Sequence, residues 1–224
     1  AQIYAQLPQI ARLVAVCDIN QARAEEIAAK HGCEAVTDVR VLLGRVDAVS
    51  LSVPTSLHHA VGVPLLEAGL HLLIEKPIAP TLREADELLA AAQRRGRILQ
   101  VGHIERFNAA IKSATAYLTH PRFIEAHRLS PYPFRGTDVS VVLDVMIHDL
   151  DLVLALVGEA PVAVQAVGIP VLSASEDIAN ARVEFPSGCV ANLTASRVSD
   201  EPLRRSRVVQ EDCYLSIAYK PQTV

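Results

Sequence analysis

The stretch Leu13-Val14-Ala15-Val16-Cys17-Asp18-Ile19-Asn20 decides the fold: an apolar run of strand length ends in an acid, and a helical segment, Gln21–His31, follows and stops at Gly32. An unbroken apolar run, rather than an alternating one, is what a strand buried on both faces of a parallel sheet requires. In a dinucleotide-binding fold the second strand ends in such an acid, whose carboxylate bonds the adenosine ribose. Asp18 would then also disfavour a 2′-phosphate. The same residues can be read as a turn opened by Asp18 with Asn20 capping the next helix, so the surrounding rhythm has to choose.

Outward from that stretch, short β-branched runs alternate with helical segments as far as residue 101, the pattern of a parallel sheet covered by helices. Strands are expected at residues 13–17, 48–53, 72–74 and 98–101. A helix over residues 81–95 opens on a Thr81/Glu84 capping box and ends at Gly96. Another over residues 56–68 carries Gly62 and Pro64 inside it, which predicts a kink or a shortened helix. The glycine fingerprint of a dinucleotide fold belongs about 20 residues before the acid. Residues 1–7 already read as the end of the helix that follows such a loop, so the first strand and glycine loop are expected to be missing.

Beyond a helix expected at residues 105–118 the rhythm changes. A strand at Phe123–Leu129 and a helix over 139–157 lead into strands at 162–171, 179–185, 189–197, 205–210 and Tyr214–Ala218, with a hairpin signal at Pro186-Ser187-Gly188. The expected architecture is an α/β Rossmann domain over residues 1–102, N-terminally incomplete. A C-terminally incomplete α+β domain with an open-faced, mainly antiparallel sheet follows over 103–224.

Composition narrows the partners. The 224 residues are 50% hydrophobic and carry a net charge of -4, with no basic stripe to neutralise phosphates, which argues against nucleic acid. The most apolar segment, 139–157, is interrupted by Asp144, His148, Asp149 and Asp151, so no membrane partner is expected. No secretory signal is visible, and a cytoplasmic location follows as the default. The four cysteines lie far apart without a C-x-x-C pair, which speaks against zinc and for buried, reduced thiols.

Chemistry concentrates in three places. Glu75-Lys76-Pro77 follows the strand at 72–74, and Pro54-Thr55 follows the one before it, at the strand ends where open α/β sheets bind ligands; each also reads as an ordinary strand-ending loop. Asp144, His148 and Asp151 recur at i, i+4 and i+7, one face of an otherwise apolar helix. Asp144 could fix the tautomer of His148, leaving the other ring nitrogen to exchange a proton with a substrate. The same residues could instead form a satisfied network between domains. With no second ligand cluster, no metal is expected. His58 and His59 point about 100° apart on a helix, and one of them can face the crevice.

Taken together, VAVCDIN, SVPTSLHH, IEKP, GHIERFN and DVMIHDLD resemble the Gfo/Idh/MocA oxidoreductases across nearly the whole chain. The resemblance implies an NAD-dependent dehydrogenase acting on the CH–OH group of a sugar, with a Lys76–Pro77 cis peptide and a homodimer or homotetramer formed through the C-terminal sheet. It implies Lys76, His148 and Asp144 as catalytic residues, with either Lys76 or His148 as general base. Asp18, Pro54, Thr55, His58, Glu75 and Lys76 would hold NAD, and Arg106, Asn108, Asp144 and Asp151 the substrate. The segments GHIERFN and SPYPFRGTD are similar to those of members acting on nucleotide sugars, which implies UDP-N-acetylglucosamine oxidised at C3, with Arg106, Arg128 and Arg135 near the diphosphate. An inositol or simple hexose dehydrogenase, or a non-catalytic sugar- or dinucleotide-binding regulator, are the rival readings.

Overall fold

The computed structural model describes residues 1–132 and 139–224. Its first part runs α1 (Gln2–Gln6), β1 (Ala15–Cys17), α2 (Gln21–His31), β2 (Glu34–Val36), β3 (Ala48–Leu51), α3 (His58–Glu67), β4 (His71–Ile74), α4 (Leu82–Arg95) and β5 (Leu99–Val101). All its strands pair in parallel, but as two sheets, β1-β2 and β3-β4-β5. Strand β2 was not expected from sequence: Glu34-Ala35-Val36 is too short to show a period, and it is defined by its pairing with β1. The helices α2 and α4 end on left-handed glycines, Gly32 at φ 66° and Gly96 at φ 59°, the conformation that a side chain resists. Thr81 caps α4 by accepting the Glu84 N–H, and its hydroxyl donates to the Glu84 carboxylate. Pro64 lies inside α3, which is preceded by a 3-10 turn, Thr55–Leu57. Gly62 has a packing reason there, since a Cβ would stand 2.8 Å from Leu88 Cδ2 and 3.3 Å from Leu72 Cδ2. Leu51, Leu65, Leu66, Leu72, Ile74 and Leu88 form the core between these helices and the β3-β4-β5 sheet.

The second part holds α5 (Ala109–Thr115), β6 (Phe123–Leu129), α6 (Ile147–Val157), β7 (Ala163–Ile169), β8 (Ile178–Glu184), β9 (Val190–Ser196), β10 (Leu203–Val209) and β11 (Tyr214–Ala218). The six strands lie in the order β11-β10-β6-β9-β8-β7, antiparallel except for β6 with β9. Alternate residues of β6, β8 and β9 are buried, as expected of a sheet covered on one face only. Ile124, Met146, Leu152, Leu193 and Ile217 fill the layer between sheet and helices. Pro186-Ser187-Gly188 makes the expected hairpin, with Gly188 at φ 83°.

Two helical expectations need correction. The helix expected at residues 105–118 is a 3-10 turn, Ile104–Phe107, followed by α5, because Asn108 leaves helical geometry and caps α5 with its side chain. The helix expected over 139–157 begins with a π-helical turn, Val142–Met146, centred on Asp144. Among the cysteines, Cys189 is buried and Cys17 exposed, so the expectation of buried thiols holds for only part of the set; all four are free. Among the described residues no helix is long and apolar enough to cross a membrane.

Candidate active site

Asp18 leaves the end of β1 and engages in the local turn: its Oδ1 accepts the Asn20 N–H at 2.9 Å, while Asn20 caps α2 through Arg23 N–H. The turn consumes only one carboxylate oxygen; Oδ2 has Arg23 Nε at 3.6 Å, and the side chain stays 30% exposed. Both sequence readings of Asp18 are thus compatible in one geometry. Pro54 and Glu75 are exposed and Thr55 half-buried beyond the ends of β3 and β4. Glu75 also packs against the next strand end, since a Cβ on Gly102 would stand 3.1 Å from Glu75 Oε2. An acid at the end of β1 and partly exposed polar residues beyond β3 and β4 fit the ribose-and-phosphate side of a dinucleotide.

His58 does not belong to that edge. It is 1% exposed, with Nδ1 2.9 Å from Pro77 O and Nε2 3.0 Å from Val53 O, so both ring nitrogens face main-chain carbonyls and neither reaches the crevice. Its position on the inner side of α3 makes it a tie between the end of β3 and the turn after β4, correcting its expected contact with the cofactor. The Lys76–Pro77 bond in that turn is cis, as the resemblance implied.

Lys76 extends from the end of β4 to the π turn of the second part. Its ammonium donates to Asp144 Oδ1 at 2.8 Å and to the Asp144 main-chain oxygen at 2.7 Å. The pair is mostly buried, at 19% and 28% side-chain exposure. Asp144 therefore meets Lys76, not His148, which overturns the expectation that it orients the imidazole. The π turn adds a residue to the helical repeat and shifts the register between positions 144 and 148.

His148 stands in the same cluster with Nδ1 buried and without a hydrogen-bond partner among the described residues. Burial first, then the positive charges of Arg128, Lys76, His103 and Arg204, push its pKa down from an ordinary 6.5 to about 3. A neutral imidazole results. Asp151, one turn further along α6, accepts both Arg106 N–H groups at 2.6 and 2.7 Å. Asn108 spends its oxygen on the α5 cap and its amide nitrogen on Tyr219 O, so its expected role toward substrate is replaced by a structural one.

Sequence reasoning missed the buried pair beneath α6. Arg128, 4% exposed, binds Asp149 through two hydrogen bonds of 2.8 and 3.0 Å, with Glu105 at 3.6 Å and the Tyr219 ring 5.1 Å away. A single apolar-facing arginine in β6 was the available signal, but its partner lies 21 residues away in sequence. Arg128 is thus occupied rather than free to meet a diphosphate. Arg135 lies outside the described residues.

Parallel strands ending in an acid, and a lysine joined to a helix-borne carboxylate beside a neutral histidine, define a nicotinamide-dependent oxidoreductase built from a Rossmann part and a sheet part. Residues 1–103 match the oxidoreductase family with the NAD-binding Rossmann fold, and residues 110–215 match the GFO/IDH/MocA C-terminal domain. The chain belongs to the Gfo/Idh/MocA oxidoreductase family. It is 45% identical over its whole length to UDP-N-acetylglucosamine 3-dehydrogenase from Acidithiobacillus ferrooxidans, spanning 71% of that protein. A solved structure of that enzyme superposes with a TM-score of 0.91 at 44% identity, over 99% of this chain and 74% of that one. An NAD(+)-dependent scyllo-inositol 2-dehydrogenase from Bacillus subtilis is 28% identical over 84% of this chain and 60% of that protein.

Proposed function

We propose that the protein catalyses reversible oxidation of a nucleotide sugar, UDP-N-acetylglucosamine at C3, with NAD as hydride acceptor. The observation that carries this reading is the meeting of Lys76 and Asp144 beside His148 at the carboxyl ends of parallel strands. The substrate assignment is supported by the 45% identity to the Acidithiobacillus ferrooxidans enzyme along the entire chain.

Asp18, Pro54, Thr55 and Glu75 are the residues that would hold NAD, which supplies the hydride-accepting carbon. An anionic Asp18 favours NAD over NADP. Lys76 has three N–H donors, two of them committed to Asp144. Its third proton is available to the substrate hydroxyl oxygen, where the fixed positive charge stabilises developing negative charge. His148 receives the hydroxyl proton on Nε2, since Nδ1 is shut away from solvent. NAD bound there would accept the hydride, while His148 takes the proton of the substrate hydroxyl and Lys76 holds the oxygen that becomes the carbonyl. An alcohol that is losing hydride becomes strongly acidic, so an imidazole of depressed basicity suffices as acceptor. Arg106 and Asp151, locked together, border the substrate as one neutral unit.

The reading includes self-association through the uncovered face of the six-stranded sheet. It also takes the protein to be cytoplasmic, in keeping with four unpaired cysteines. The deciding experiment follows the absorbance of reduced nicotinamide while UDP-N-acetylglucosamine, its nucleotide-free sugar and inositol are offered in turn. Turnover of the UDP-sugar is expected. Turnover of inositol with none of the UDP-sugar would replace this reading by that of an inositol dehydrogenase.

A further inference from the structure

The other long cations of the candidate site are each matched by a carboxylate. Lys76 has Asp144, Arg106 has Asp151, and Arg128 has Asp149 with Glu105 close by. Arg204 is different: it is exposed, and among the described residues its guanidinium has no hydrogen bond or ion pair.

Its place in the sheet brings it to the site. Arg204 of β10 stands directly opposite Arg128 of β6 in an antiparallel pair. Ser206 and Val208, on the same face of β10, are buried toward the helices, so the side chain of Arg204 leaves the sheet on the side that α6 covers. Residues directly opposite in such a pair have Cβ atoms about 4.5–5.5 Å apart, and like charges there repel. Arg128 is neutralised beneath α6; Arg204 is not. Its charge reaches His148, whose basicity it helps to lower. A guanidinium with a like-charged neighbour, no counter-ion and an open side is completed by an anion from solution.

We propose that Arg204 is a substrate-binding residue that grips a phosphoryl oxygen of the nucleotide sugar, through the planar fork that suits arginine to phosphate. The inference rests on the nucleotide-sugar reading above and adds to it the residue that distinguishes an anionic sugar from a neutral one.

The test is calorimetric titration of UDP into the NADH-saturated protein, for the wild type, Arg204→Gln and Arg204→Lys, each first shown to melt cooperatively. A charge-assisted hydrogen bond contributes roughly 1.5–3 kcal/mol, so Arg204→Gln should weaken UDP binding about 10- to 100-fold. Arg204→Lys should recover part of that loss, because it restores charge but not the fork. NADH affinity should stay at the wild-type value in both variants. Wild-type UDP binding with an unchanged Arg204→Gln would overturn the role of Arg204 and leave the nucleotide-sugar reading standing. A wild type that binds neither UDP nor UDP-N-acetylglucosamine would overturn both. Equal weakening of UDP and NADH, or a Gln variant that no longer folds while the Lys variant binds UDP no better, would assign Arg204 to structure instead.

Discussion

The two halves of the molecule hold their polar groups by opposite means. In the parallel half the ion pairs lie at the surface, such as Arg40–Asp38 and Arg94–Glu67. Among the described residues its one buried polar side chain, His58, bonds only to main-chain carbonyls. In the sheet half Arg128, Asp149, Asp177 and Arg197 are all buried and pair side chain to side chain. Asp177 shows how complete that pairing is. Burial would raise its pKa, yet the Ser173 N–H, the Arg197 guanidinium and the Val171 and Leu172 N–H groups together hold it well below the usual carboxylate range. The first half builds its share of the site from where strands end, and the second from side chains that depend on one another.

The largest expected effect tests whether the site needs both halves. Lys76→Met takes one reacting group from the parallel half and His148→Asn one from the sheet half. Loss of a positioned proton acceptor or charge stabiliser costs on the order of 10²–10⁴ in rate. Both variants should lose turnover to that extent while NAD affinity, measured by titration, stays close to the wild type. A variant with near-normal kcat would remove its residue from the catalytic set.

Stability should divide the halves next. Arg128→Met leaves the buried Asp149 of α6 without its ion-pair partner, a loss expected to be about 3–5 kcal/mol. His58→Leu removes the ring N–H that one tautomer donates to Pro77 O and the other to Val53 O, stranding a carbonyl oxygen rather than a charge, at roughly 1–3 kcal/mol. Urea denaturation of both variants measures the difference. If His58→Leu proves the more damaging, the contrast between main-chain and side-chain anchoring is mistaken.

That contrast also explains what the sequence reveals. In the parallel half local signals suffice: the glycine at each helix end, the Thr81 cap and the apolar runs before Asp18 and Glu75 all act within a few residues. The ends of the strands that carry Asp18, Thr55, Glu75 and Lys76 were therefore legible. The partners in the sheet half were not, because Lys76 finds Asp144 68 residues away and Arg106 finds Asp151 45 away. Spacing put Asp144 and His148 on one face, but the π turn that separates their roles depends on packing, not on period. Asn108 was misjudged for another reason: Asn before Ala-Ala is a cap signal, outweighed here by its place in a family motif. Arg204 gave no signal until pairing set it opposite Arg128.

The smallest expected effect asks whether the sheet half carries a titrating group within ordinary pH. His148 is neutral in the folded protein because its pKa falls from 6.5 to about 3, first through burial and then through the cations around it. Above pH 6.5 neither folded nor unfolded chain is protonated there, and the contribution to stability is fully present. As the pH falls from about 6.5 toward 3 the unfolded chain binds a proton that the folded one refuses, and stability is lost. Asp177, whose pKa is lowered in the folded protein, adds nothing to this slope until the pH nears the ordinary carboxylate range around 4. The chain has eight histidines, so it is the difference between the wild type and His148→Asn from pH 7 to 5 that isolates this imidazole. With allowance for partial exposure, the wild type should lose on the order of 1 kcal/mol more across that window than His148→Asn. Parallel pH series of chemical denaturation give the difference directly. Equal slopes for the two proteins would mean that His148 is solvated and ordinarily basic, and the proposed proton acceptor would then be an imidazole charged below pH 6.5 rather than one kept neutral by its surroundings.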